Sequence, residues 1–172
     1  MNHYLKEFVR TTGELLESQP VRSMGQWKHH GRVTCLDHSL FVAYWSYRCA
    51  RLLHLDAAAA ARGGLLHDLY LYNPKDKSAH PGNQCFDHPR AAARNAAKLT
   101  SLSKKERNII LSHMWPLGGA LPRSIEAWLV DLVDTLCAGV EFSHLYHPRQ
   151  LREQLGVKPI EPQTEPELVQ AS

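Results

Sequence analysis

Apolar residues recur along most of this chain at the three- and four-residue spacing of a helix rather than the alternate spacing of a strand. Leu5, Phe8, Val9, Leu15 and Leu16 predict a first helix over 2–17, weakened at Gly13. A polar loop is expected through Pro20 and Gly31. Asp37 is positioned to cap a second helix reaching about Leu53, with Leu40, Phe41, Tyr44, Trp45, Arg48 and Leu52 along a broad stripe and His38 in the first turn. Asp56 caps a third helix that runs through Ala57 to Ala61 and past Gly63-Gly64 to Leu69. Paired glycines weaken a helix, so a close neighbour is expected against them.

Residues 73 to 84 are rich in Pro, Gly, Lys and Asp and are read as a mobile loop. A fourth helix is expected to start with His88 or Asp87 as its cap and Pro89 at its first position. Ser103 to Glu106 forms a capping box for a fifth helix carrying Ile109, Ile110 and His113, which Pro116 and Gly118-Gly119 terminate. A sixth starts near Pro122 and holds Trp128, Leu129, Leu132, Val133 and Leu136, with Asp131 and Asp134 inside the pattern. Beyond Gly156 the composition is prolyl and acidic, too poor in apolar residues to order itself. The expected fold class is therefore all-α: a single-domain helical bundle of about six or more helices over 1–156, with a tail over 157–172.

Composition narrows the function classes. A length of 172 residues allows one domain with a sizeable core but is short for two. The net charge is only +3, and the 20 Lys and Arg are scattered, so no stripe is set out to follow a nucleic-acid backbone. No apolar run approaches the ~18–20 residues of a membrane span, and the N-terminus lacks a signal-peptide core. A cytoplasmic protein with no membrane partner is expected. Cys35, Cys49, Cys85 and Cys137 form no CxxC pair and are read as reduced packing residues. Histidine departs from ordinary usage at 11 copies, and imidazole is the commonest side-chain metal ligand.

Several of those histidines, with two aspartates, stand where metal chemistry needs them: His38, His67-Asp68, His88, His113 and Asp134, spread over different helices. Facing helices build metal sites in bundle cores in this way. Imidazole mixed with carboxylate suits Fe, Mn, Co, Ni, Zn or Mg rather than a thiolate-type structural zinc. The stretches DHSLFVAYWS, GGLLHDLYLY, FDHPRAAARNA, IILSHMWPL and LVDTLCA together resemble the HD-domain superfamily of metal-dependent phosphohydrolases, over about residues 30 to 145.

The resemblance implies one divalent metal on His38, His67, Asp68 and Asp134, and a second on Asp68, His88 and His113 with Asp68 bridging. It also implies cleavage of a phosphoester of a small molecule, with nucleotides the leading class, by metal-activated hydroxide, Asp68 and His67 lying at the catalytic centre. No protein nucleophile is then required, in keeping with the absence of a GxSxG elbow. Substrate oxygens need cationic partners, and Lys75, Lys77, Arg90, Arg94 and Arg123 lie near ligand positions in the chain. Relatives often carry a lysine three residues beyond the His-Asp pair, where this chain has Leu71.

Alternatives stand beside each reading. Asp131 competes with Asp134, one turn away, although Ala138 gives clearance beyond Asp134. His29-His30-Gly31 is read as a solvated loop rather than a pocket mouth, and His3, His54, His80, His144 and His147 as surface residues. Trp27, Trp45, Trp115 and Trp128 are read as core, with Trp115 closest to a ligand position. Two other functions compete with hydrolysis: a non-catalytic metal-binding regulatory module, and a di-iron oxygenase or lyase on the same scaffold. A homodimer is left open.

Overall fold

The computed structural model describes residues 3–29, 33–76, 78, 82–143 and 148–160. Among these, eight α-helices and no strand are found: α1 (His3–Glu17), α2 (Gln19–Ser23), α3 (Cys35–Leu52), α4 (Ala57–Leu66), α5 (Gln84–Leu99), α6 (Lys104–Ser112), α7 (Ile125–Phe142) and α8 (Arg149–Leu155). A 3-10 turn, Met24–Gln26, follows α2.

The centre of the bundle is α3, which is buried on nearly every face: thirteen of its 18 residues are buried. A helix apolar all round belongs in an interior, and α3 packs against α1, α4, α7 and α8. The Phe8 ring of α1 meets Tyr44 and Tyr47 edge-on, with centroids 5.5 and 5.8 Å away. The glycine pair of α4 is explained by its neighbours. A Cβ on Gly63 would stand 2.7 Å from Ile109 Cγ2, and one on Gly64 would stand 3.1 Å from the Ala43 Cα of α3. These close approaches draw α4 onto α3 and α6, and so bring the end of α4 into the core.

Caps decide where the helices begin, and two differ from expectation. The N-cap of α3 is Thr34, whose hydroxyl oxygen accepts from the Asp37 amide at 3.1 Å. Asp37 instead accepts the Thr34 hydroxyl at 2.7 Å and pairs with Arg152 of α8. Similarly, α5 starts at Gln84 with Asn83 as cap, leaving Pro89 inside the helix. The expected caps of α4 and α6 are present: Asp56 accepts from Ala59 N, and Ser103 and Glu106 form a reciprocal capping box.

The expected polar loop after α1 contains α2 and the 3-10 turn, because Val21 and Met24 are fully buried and fold the segment inward. Packing also continues past Gly156: Val157 is buried, Ile160 N donates to Arg22 O at 3.2 Å, and Pro159 lies against Gly25. Trp45 and Trp128 are exposed rather than in the core. All four cysteines are free thiols. No helix among the described residues is long and apolar enough to cross a membrane.

Candidate metal centre

Helix ends, helix faces and the turn after α4 bring six side chains together. His67 and His113 are the C-cap residues of α4 and α6. Carbonyls in the last turn of a helix lack intrahelical donors, and each ring supplies one: His67 Nδ1 donates to Gly64 O at 2.7 Å, His113 Nδ1 to Ile110 O at 2.8 Å. His88, within α5, donates from Nδ1 to Gln84 O at 2.6 Å. A carbonyl can only accept, so Nδ1 carries a proton in all three rings and Nε2 is the nitrogen turned toward the cluster. His38, in the first turn of α3, contacts Glu141 through Nδ1 at 2.9 Å and Asp134 through Nε2 at 2.8 Å.

Asp68 follows His67 in the turn after α4 and stands between two groups of nitrogens. Its Oδ1 lies 3.4 Å from His88 Nε2 and 3.6 Å from His113 Nε2. Its Oδ2 lies 3.6 Å from His67 Nε2 and 3.5 Å from His29 Nδ1. His67 Nε2 is also 3.6 Å from Asp134 Oδ1. Thus the structure brings together His38, His67, Asp68, His88, His113 and Asp134.

The polar chemistry left over fits a divalent cation. Among the described residues, His67 Nε2 and Asp68 Oδ2 are buried without a hydrogen-bond partner, an arrangement that costs free energy unless a cation meets those lone pairs. The Nε2 atoms of His88 and His113 face each other at 2.8 Å. Three sets of donor atoms lie within 4.8 Å of one another and can hold a metal: His38, His67 and Asp134; His67, Asp68 and His113; and His29, His38 and Asp68. With imidazole and carboxylate donors and no thiolate, the site suits hard to borderline divalent metals.

Electrostatics follow the same geometry. Burial opposes ionisation of Asp68, but His67, His29, His88 and His113 outweigh it and hold the carboxyl well below the usual carboxylate range. Asp134 is likewise held low, against burial, by His67 and His38. Burial, reinforced by His67 and His88, lowers His113 to about 3, keeping its Nε2 lone pair available. For His38 burial acts downward as well, yet its hydrogen bonds to Asp134 and Glu141 raise it to about 10. Asp131 sits beside the site rather than in it; burial and the charge of Asp134 push it up to about 6.

A cavity of about 430 Å³ opens onto this cluster, lined by Asp68, His88, His113 and Asp134 together with Lys28, His29, Trp115, Leu117 and Thr135. Among the described residues, none of the cations anticipated from chain proximity lines this cavity. Arg90 and Arg123 line other surface depressions. Lys75 and Arg94 are exposed and line none of this cavity, and Lys77 lies outside the described residues. Lys28 is the cation on the wall among the described residues.

Three residues of the site were not anticipated: Lys28, His29 and Glu141. His29 was read as solvated loop, but its backbone N–H donates to Val33 O at 2.9 Å and Lys28 bridges to Thr34. The His29 ring lies on His38, with centroids 4.1 Å apart. Glu141 shares a face of α7 with Asp134, seven residues on, a spacing of two turns that is visible in the sequence.

No curated protein and no solved structure matches the chain in searches of either kind. A family model described as the HD domain matches residues 35–139, more than half of the 172 and the span that carries His38, His67, Asp68, His88, His113 and Asp134. The chain belongs to the HD domain family, and with it to the superfamily of metal-dependent phosphohydrolases.

Proposed function

We propose that this protein hydrolyses a phosphoester of a small molecule, a nucleotide being the substrate class that the pocket suits best. The observation that carries the reading is the place of Asp68: one carboxylate with an oxygen toward His88 and His113 and the other toward His67 and His29, at the floor of an open cavity. His38, His67, Asp68 and Asp134 would hold one divalent cation, and Asp68, His88 and His113 a second. Such cations supply Lewis acidity, lowering the pKa of water and neutralising charge on phosphoryl oxygens.

The chain's own residues do the rest. The three carbonyl-anchored rings keep Nε2 aimed inward without further reorganisation, which is the preorganisation that charge stabilisation requires. Lys28, on the cavity lining, offers an ammonium to a phosphate oxygen. Trp115 and Leu117 give an apolar wall on which a base can lie. A volume of about 430 Å³ is of the size that takes a mononucleotide-scale ligand.

The test is phosphate release from a panel of nucleoside mono-, di- and triphosphates, with metal analysis of the same preparation. Release that stops on chelation and returns with added divalent metal is expected. Oxygen uptake by anaerobically iron-loaded protein without phosphate release would favour the oxygenase reading, and retained metal with no turnover would favour a binding module.

A further inference from the structure

His29 faces the centre differently from its neighbours. The rings of His67, His88 and His113 turn Nδ1 away, each to a carbonyl three or four residues earlier in its own helix, and offer Nε2. His29 instead turns Nδ1 inward, 3.5 Å from Asp68 Oδ2, while its ring lies stacked on His38 with 21° between the planes. It stands outside the helices, between the 3-10 turn and α3, in a segment paired across Lys28 and Thr34. Its side chain is 20 % exposed, against 2 % for Asp68 and 1 % for His67, and it lines the cavity.

The gap between His29 Nδ1 and Asp68 Oδ2 separates two kinds of contact. An N–H···O hydrogen bond holds its heavy atoms at about 2.7–3.2 Å, and among the described residues Asp68 Oδ2 accepts none. Two donors that share one divalent ion, each about 2.0–2.2 Å from it, stand roughly 3–3.6 Å apart. The neighbouring contacts have that same spacing: 3.6 Å from His67 Nε2 to Asp68 Oδ2, and 3.6 Å from His67 Nε2 to Asp134 Oδ1. His29, His38 and Asp68 offer ligand atoms that lie within 4.8 Å of one another. Two of those three belong to the first metal position already described.

We infer that His29 is a further ligand of the first metal and an exchangeable one: its Nδ1 joins His38, His67, Asp68 and Asp134 on the ion, and an incoming phosphoryl oxygen takes its place. That role rests on the proposed metal-dependent hydrolysis and adds how the substrate reaches the ion. A ring whose Nδ1 is tied to a carbonyl keeps its orientation when the metal side is disturbed. His29 spends Nδ1 on the ion itself, so no carbonyl bond to that atom resists its departure. It also sits on the lining of the cavity by which substrate enters, on an irregular segment that can shift without unwinding a helix. The exchange breaks one bond from metal to nitrogen and forms one from metal to oxygen, with no electron or proton transferred.

The experiment is calorimetric titration of inorganic phosphate into the Zn(II)-loaded full chain, for wild type and His29→Ala, with ¹H–¹⁵N correlation of the histidine rings before and after. In the wild type phosphate has to displace His29, so its apparent affinity is reduced by the small fraction of ions from which the ring has already departed. His29→Ala lacks that competitor and is expected to bind phosphate more tightly, on the order of tenfold. A ring that merely donated to phosphate, or merely supported the fold, would give the opposite sign on removal.

The ring spectra are read on wild type and so decide the case even where His29→Ala loads poorly. One imidazole is expected with zinc on Nδ1 and its proton on Nε2, the reverse of the pattern at His67, His88 and His113. Its signal should vanish in His29→Gln, persist in His30→Gln, and lose its zinc-bound position when phosphate is added while the other rings keep theirs. A His29 ring that carries its proton on Nδ1 in the loaded protein overturns the inference, as does phosphate binding unchanged or weakened in His29→Ala. Either result leaves the metal centre standing so long as zinc is seen on Nε2 of the other rings. A chain that takes up no metal under any loading refutes the centre and the role of His29 together.

Discussion

Glu141 holds His38 from behind, and replacing it tests how the centre is built. His38 Nδ1 meets Glu141 Oε1 at 2.9 Å with both side chains fully buried, and Nε2 on the far side of the ring meets Asp134. In Glu141→Leu the ring keeps its volume of neighbours but loses its acceptor. The Nδ1–H is then buried without a partner, at a cost of roughly 1–3 kcal/mol, unless the ring turns or shifts its proton to Nε2. Either response removes the lone pair from the metal side.

The loss of such a supporting carboxylate lowers metal affinity by about 10–100-fold, or ~1.4–2.7 kcal/mol. Glu141→Gln retains an oxygen acceptor at the same reach, so most of the affinity should return. Competition titration of Co(II) against a chelator measures both variants, and ¹H–¹⁵N correlation of the histidine rings in the Zn(II)-loaded protein reports which nitrogen of His38 bears the proton. Wild-type affinity in Glu141→Leu, or an equal loss in Leu and Gln variants, would refute the reasoning.

Asp134→Asn should weaken metal binding by tens-fold or more, whereas Asp131→Asn should cost less, because Asp134 touches His38 and His67 while Asp131 flanks the site; parallel titrations decide it. His88→Ala or His113→Ala should lower metal stoichiometry by about one, with the ion on His38, His67 and Asp134 retained, as elemental analysis would show. Gly63→Ala should destabilise by roughly 1–3 kcal/mol, because the new Cβ would meet Ile109 Cγ2 at 2.7 Å. A thermal melt should drop by several degrees, at ~2–4 °C per kcal/mol for a chain of this size.

Local signals were the legible ones. Asp56 and the Ser103–Glu106 box act within one turn and stand as written in the sequence. The glycine pair announced a close helix contact that Ile109 and Ala43 supply. Proline misdirected the start of α5: its missing N–H is tolerated at a first position, but it also sits inside this helix, with Asn83 capping four or five residues before the expected Asp87 or His88. Thr34 displaced Asp37 because either can cap, and only the partner Arg152, 115 residues away, claims the aspartate.

Chain proximity did not foretell which described cation lines the cavity. Arg90 lies two residues from His88, but two residues on a helix is a rotation of ~200°, which carries it away from the cluster. Arg123 follows His113 by ten residues across a turn that leads out to a different depression. Lys28 and His29 reach the cavity through a backbone pairing between Lys28 and Thr34, a contact with no periodic signature. Glu141 did have one, since Asp134 and Glu141 share a face of an otherwise apolar helix.

The central claim is that Asp68 serves two metal positions at once, and the metal content of Asp68→Ala tests it most directly. Elemental analysis and Mn(II) titration of wild type and variant, after matched loading, should find up to two ions per chain in the wild type. In the variant they should find essentially none, because the remaining imidazoles would lack the carboxylate that lies 3.4 to 3.6 Å from His67, His88 and His113. A folded Asp68→Ala protein that keeps the wild-type metal content and affinity would contradict the account.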